Sequence, residues 1–158
     1  MMATTHAIVG ATIAKAIPDP VVAAGLILTS HYLMDLVPHW DFGTDWKGRS
    51  VAQTGMLAGI DTIAAFLVTF LLFWSQLPAL TIFLAICVAN LPDWAEAPYF
   101  IFFASKDGHE KARGGKFGLW LGKVFGWQEK YVHTKTTFTQ GVITQIVTVV
   151  FFLVLLKR

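Results

Sequence analysis

Apolar residues come in runs along this chain, and the breaks between runs are sharp. The first run spans Ala3 to Ile17 and stops at Pro18-Asp19-Pro20. Two prolines within three positions end a helix, and Asp19 is placed to cap the next one, with Pro20 in its first turn. The second run, Val21 to Val37, ends at Pro38, and a polar loop follows from His39 to Ser50. The third, Val51 to Trp74, is long enough to cross a hydrocarbon core of ~30 Å at ~1.5 Å per residue, whereas the first is too short to cross it comfortably. A fourth run, Leu77 to Asn90, is predicted to stop at Leu91-Pro92-Asp93. A separate boundary helix is then expected from Trp94 to Ala104, where Trp94, Tyr99, Phe100, Phe102 and Phe103 suit an aromatic belt. The stretch Lys106–Lys135 is the most polar and reads as a loop with an amphipathic surface helix. The last run covers Thr136 to Leu156.

This pattern predicts an all-α fold: a polytopic helical transmembrane bundle of about four to five membrane helices, some short or broken, with an amphipathic surface segment. One helical membrane domain accounts for residues 1–158, with 106–135 as its polar, basic loop. A short internal echo pairs the Pro18-Asp19 stop with the Pro92-Asp93 stop. Interrupted segments at matching positions of two halves can flag a buried site, but two helix stops sharing Pro-Asp chemistry explain the echo equally well.

Composition agrees with the runs. Of 158 residues, 55% are hydrophobic before the 13 glycines are counted, and 14% are charged, against ~25% in a typical soluble domain. Mean hydropathy is +0.59. The net charge of +2 is too small for the dense basic face that nucleic acid needs. Seven of the twelve lysines and arginines nevertheless fall between Lys106 and Lys135, which suits a cytoplasmic loop or contact with anionic headgroups. The single cysteine, Cys87, allows no disulfide within the chain and reads as a small apolar residue. Met1 to His6 contains no lysine or arginine, so the basic start of a secretory signal is not expected.

The densest chemistry lies in Ser30-His31-Tyr32-Leu33-Met34-Asp35-Leu36-Val37-Pro38-His39-Trp40-Asp41. His31 and Asp35 are four apart and share a helix face. If Pro38 ends that helix, His39 and Asp41 lie just beyond it and can converge on the same point. Imidazole and carboxylate are the usual ligands of zinc and related cations, and a carboxylate in hydrocarbon is costly unless paired or metal-bound. A hydrogen-bonded His31–Asp35 pair, with His39 and Asp41 solvated, is the plainer alternative. His6 shares a face with Gly10 and Ala14, small residues that let another helix approach, so it is expected to point inward. Asp61 is the deepest unpaired charge, functional by default at that depth, although a helix–helix hydrogen bond would also explain it. Asp93 and Glu96 could cap and charge a first helical turn, or act as ligand and general base. Thr137, Gln140, Thr144 and Thr148 form a stripe on the last span that reads as packing, with His133 just before it. His109 is expected to be solvated.

Thr5-His6, Pro18-Asp19 and Ser30-His31-x-x-x-Asp35 together resemble the YdjM-like family of predicted membrane-bound metal-dependent hydrolases. The resemblance implies a helical membrane protein with a His/Asp metal centre and hydrolytic activity, and it carries over onto His6, Asp19, His31 and Asp35. Other blocks of the family pattern are missing: Asp19 is followed by Pro20, and no His-Arg-Gly-x-Thr-His-Ser segment occurs.

The leading expectation is therefore a membrane-embedded, metal-dependent hydrolase acting on a lipid-linked ester or phosphoester near the headgroup plane. His6, His31, Asp35, His39 and Asp61 are the candidate metal ligands. Asp93 and Glu96 are the candidate catalytic residues, with either able to serve as base. The cofactor is a divalent metal, zinc first, with manganese or magnesium as alternatives. The partner is membrane lipid or a lipid-linked substrate, not nucleic acid, and the location an integral one in a prokaryotic inner membrane. Two other readings use the same residues: a small transporter or ion conductor, which at this length demands a homo-oligomer, and a non-catalytic membrane assembly protein.

Overall fold

A computed structural model describes residues 1–44 and 46–156 of the chain. Six α-helices follow in order: α1 Ala3–Ala16, α2 Pro20–Asp35, α3 Val51–Phe73, α4 Ala79–Pro98, α5 Gly115–Tyr131 and α6 Phe138–Leu155. Among the described residues there is no β-strand, only an isolated bridge between His39 and Lys135. Three helices are long and apolar enough to cross a membrane: α3, α6, and α4 together with the π-helical turn Tyr99–Phe103 that extends it.

Local chemistry sets most boundaries. Asp19 caps α2 by accepting hydrogen bonds from the Val21 and Val22 amides at 2.9 and 2.8 Å, with Pro20 in the first turn. Asp19 is exposed there, so the residue carried over from the family resemblance works as a cap. Ser50 and Gln53 form a reciprocal capping box at the start of α3, the arrangement that satisfies two otherwise unpaired amides. Gly141, on α6, meets the backbone of Trp40 so closely that an added Cβ would lie 2.2 Å from the Trp40 nitrogen.

The expected break at Leu91-Pro92-Asp93 does not occur. Helix α4 continues through Pro92 to Pro98, so the predicted fourth run and boundary helix form one helix. Proline offers no amide to the Val88 carbonyl four residues earlier, and side chains contact other carbonyls of the same stretch. Asn90 Nδ2 donates to the Ile86 carbonyl at 2.9 Å, and His31 Nδ1 lies 2.7 Å from the Ala89 carbonyl. The two Pro-Asp pairs therefore sit differently, one just after α1 and one inside α4, and the internal echo has no structural counterpart.

Helix α1 is the centre of the core. It packs against α2, α3, α4 and α6, and Ala7, Val9 and Ala11 are fully buried. Its small side chains permit this: a Cβ on Gly10 would lie 3.0 Å from Ala89 Cβ and 3.3 Å from Ile27 Cγ2. Helices α3 and α6, by contrast, turn Leu67, Leu71, Ile146 and Val154 outward, a contiguous apolar exterior of the kind lipid covers.

Helix α5 has two faces. Gly118, Gly122 and Gly126 lie against the 109–113 segment, where a Cβ on Gly122 would come within 2.4 Å of the His109 carbonyl. Phe117, Trp120, Val124 and Trp127 point outward on the other side. A helix thus lies within 106–135, from Gly115 to Tyr131. His109, expected to be solvated, is instead half-buried between Tyr99 and Glu129, with 2.7 Å contacts to both. An ionised carboxylate only accepts hydrogen bonds, which puts a proton on Nε2 and leaves Nδ1 to accept from the Tyr99 hydroxyl. Sequence gave no hint of this relay, because its three members are separated along the chain and the room for the ring comes from Gly126.

Candidate metal centre

The site forms where the C-terminal end of α2 meets α1, the part of α4 around Pro92 and the segment leading into α6. Asp35, fully buried, is its hub. His133 Nε2 lies 2.9 Å from Asp35 Oδ2, His6 Nε2 3.2 Å from Oδ1, and His31 Nε2 3.3 Å from Oδ2. The backbone nitrogen of Met1 also contacts Oδ1. Asp93 joins from α4, 3.5 Å from His31 Nε2. The His6 and His31 rings stack with centroids 4.0 Å apart. Two overlapping triads result, His6–His31–Asp93 and Asp35–Asp93–His133, each with ligand atoms within 4.8 Å of one another.

The backbone explains why these residues meet. The i, i+4 spacing sets His31 and Asp35 on one face of α2, and α2 ends at Asp35 as Pro38 leads one to expect. The chain beyond it pairs with the approach to α6: the Thr134 amide donates to the Asp35 carbonyl at 3.0 Å, His39 to Thr134 at 2.9 Å, and Thr136 to His39 at 2.9 Å. That pairing delivers His133 to Asp35. The polar stripe on α6 secures the same loop, with Thr144 Oγ1 donating to the Pro38 carbonyl and Gln145 Nε2 to that of Trp40.

The nitrogen of His31 that faces the centre tests whether a cation fits. A carbonyl cannot donate, so the 2.7 Å contact to Ala89 fixes a proton on Nδ1. Nε2 is buried and makes no hydrogen bond, yet it faces the carboxylates of both Asp35 and Asp93. A lone pair aimed at two carboxylates is unfavourable unless a second proton or a metal ion lies between them. Orientation of a ligating histidine by a backbone carbonyl on its other nitrogen is common in metal sites. The donors fit a divalent cation that accepts mixed nitrogen and oxygen ligands.

The remaining sequence candidates sit around this core. His39 is fully buried, but Nδ1 faces the Val37 carbonyl at 2.9 Å and Nε2 faces Asp41 at 3.2 Å, with Asp35 farther off at 3.8 Å. Burial pushes the Asp41 carboxyl up, but the hydrogen bond to His39 and the nearby Lys135 ammonium outweigh it and hold it well below the usual range. Asp61 anchors the start of α1, accepting from the Ala3 amide at 2.8 Å and the Thr4 hydroxyl at 3.1 Å. Glu96 lines a cavity of about 160 Å³ together with Asp93, His133, Asp41, Asp61 and Lys135. Sequence reasoning missed His133, whose one signal was its position: like His39, it is a histidine in the polar stretch that flanks an apolar run.

No protein-family model matches the chain, and no curated protein or solved structure resembles it significantly.

Proposed function

We propose that the chain is a transmembrane helical bundle, spanned by α3, the extended α4 and α6, and that its buried centre holds a divalent metal for hydrolysis of a lipid-linked ester or phosphoester. The observation that carries this reading is His31 Nε2, buried without a hydrogen bond and aimed at Asp35 and Asp93. Histidines and carboxylates gathered in so apolar a protein are costly unless a charge balances them.

In this reading His6, His31, Asp35, Asp93 and His133 hold the metal, zinc first, and His39 supports the ring of ligands through its contacts to Asp41 and Val37. When bound, the cation polarises the scissile group and lowers the pKa of a water toward ~7. Glu96, which lines the same cavity, would serve as general base and accept a proton there. Asp61 positions the start of α1, which presents His6. The outward aromatic face of α5 lies at the headgroup level, and the membrane is a prokaryotic inner membrane.

Metal analysis of the protein purified in neutral detergent tests this directly. The wild type should carry about one equivalent of a divalent metal, and His31→Ala and His133→Ala should each lose most of it. Glu96→Gln should keep the metal but lose about 10²–10⁴-fold in hydrolysis of short-chain ester or phosphoester substrates. If the wild type neither retains nor binds a divalent metal, the reading fails.

A further inference from the structure

A second cavity, of about 460 Å³, adjoins the one beside the metal centre. Trp46, Thr54, Phe100 and Ile101 line both, so the two share a wall. Their linings differ in charge. The first gathers Asp41, Asp61, Asp93, Glu96 and Glu129. The second holds no carboxylate among its lining residues and gathers three cations, Arg49, Lys106 and Arg113, with the hydroxyls of Ser50, Thr54 and Ser105.

Among the described residues none of these three cations is paired with a carboxylate. Among the described residues the one lysine or arginine paired with a carboxylate is Lys135, on Asp41. Arg49 donates to the carbonyls of Phe42 and Thr44, and Arg113 Nη2 to that of Ala104 at 3.1 Å. Those bonds fix the two guanidinium groups, and no carboxylate among the described residues pairs with either. Lys106 is exposed on the same rim. Guanidinium and ammonium groups converging on one cavity, with hydroxyl donors beside them, are the usual recognition chemistry of phosphate.

The cavity's place in the fold narrows the ligand further. Ser50 and Val51 open α3, and Ala104 ends the extension of α4. The cavity thus lies where two apolar helices emerge at the same end. Trp46 and Phe100, in edge-to-face contact with centroids 5.1 Å apart, form its wall toward the metal centre. We infer that this cavity binds the phosphate of an anionic lipid headgroup and so places a lipid-linked substrate beside the metal centre. Calling the ligand a substrate rests on the hydrolytic reading above; the anion site itself does not require the metal.

Three probes test the inference on the full chain in neutral detergent, read by isothermal titration: dihexanoyl phosphatidate, dihexanoylglycerol and inorganic phosphate. Phosphatidate should bind saturably and more weakly as salt rises, while dihexanoylglycerol should not compete. Lys106→Gln and Arg113→Gln should each weaken phosphatidate at least about tenfold, the scale of one lost charge-assisted contact. Lys106 makes no hydrogen bond among the described residues, so Lys106→Gln tests binding without disturbing the fold. His31→Ala should leave phosphatidate affinity unchanged, so loss of metal and loss of headgroup binding are read separately. Wild-type protein that binds no phosphatidate, or variants that bind it as tightly as wild type, would overturn the site. Inorganic phosphate binding as tightly as phosphatidate would overturn the lipid assignment. A wild type that lacks metal but shows the expected phosphatidate behaviour sinks the hydrolytic reading and upholds the anion site.

Discussion

Replacing Gly141 with alanine should loosen the loop that builds the metal centre. The added Cβ would lie 2.2 Å from the Trp40 nitrogen, 2.4 Å from its Cβ and 2.8 Å from its Cα. Backbone cannot rotate away as a side-chain tip can, so the 38–42 segment and α6 must separate by roughly 1 Å to reach ordinary contact. Two hydrogen bonds lie across that contact, Thr144 to the Pro38 carbonyl at 2.6 Å and Gln145 to the Trp40 carbonyl at 2.9 Å. Overpacking costs about 1–3 kcal/mol and each weakened bond about 1 kcal/mol. The expected loss is therefore about 3–5 kcal/mol, or roughly 6–20 °C in the melting midpoint of a chain this long. Metal affinity should fall about tenfold as well, because His39 and His133 are set by the displaced segment. Thermal unfolding in detergent and a metal titration measure both. Gly25→Ala is the control: nothing lies within 4 Å of its added Cβ, and alanine favours the helix by up to ~1 kcal/mol. A Gly141→Ala protein that melts with the wild type would refute the claim that α6 holds this loop by close contact.

Asp61→Asn should lower stability by about 2 kcal/mol, since a carboxylate accepting hydrogen bonds from Ala3 and Thr4 is replaced by a weaker acceptor; metal content should be unchanged, and its loss would make Asp61 a ligand. Gly122→Ala should detach α5 from the 109–113 segment, because its Cβ would lie 2.4 Å from the His109 carbonyl; hydrogen exchange across 115–131 should then accelerate, and unchanged exchange counts against the glycine-face packing. His109→Phe should have the same effect in weaker form by leaving Glu129 and Tyr99 without their shared partner, and Glu129→Gln should produce less of it because an amide can still accept from His109 Nε2.

The helices were legible where hydrophobicity alone decides them. Asp19 and Pro18 marked the gap between α1 and α2, and the run after Ser50 marked α3, because caps and prolines act within a few residues. Pro92 misled because α4 continues through it, packed on other helices, with a histidine from α2 on the Ala89 carbonyl just before the proline. Nothing in the local sequence shows that partner. The same limit applies to the site. His31 and Asp35 were readable as a pair from spacing alone, and Gly10 indicated the close packing that buries His6. His133 became part of the cluster only through the pairing of 134–136 with 35–39.

His31 ties the metal centre to α4. Its Nδ1 reaches the Ala89 carbonyl, three residues before Pro92, and the opposite ring nitrogen is thereby turned toward Asp35 and Asp93. Asp93, next in sequence to the proline, reaches the same point from α4. Pro92→Ala should leave the helix intact, since alanine is the better helix former, and should reduce metal retention if the proline's local distortion of α4 is what sets the Ala89 carbonyl against His31. Retention equal to wild type, with helicity unchanged, would mean that the packing of α1 and α2 orients His31 without the proline.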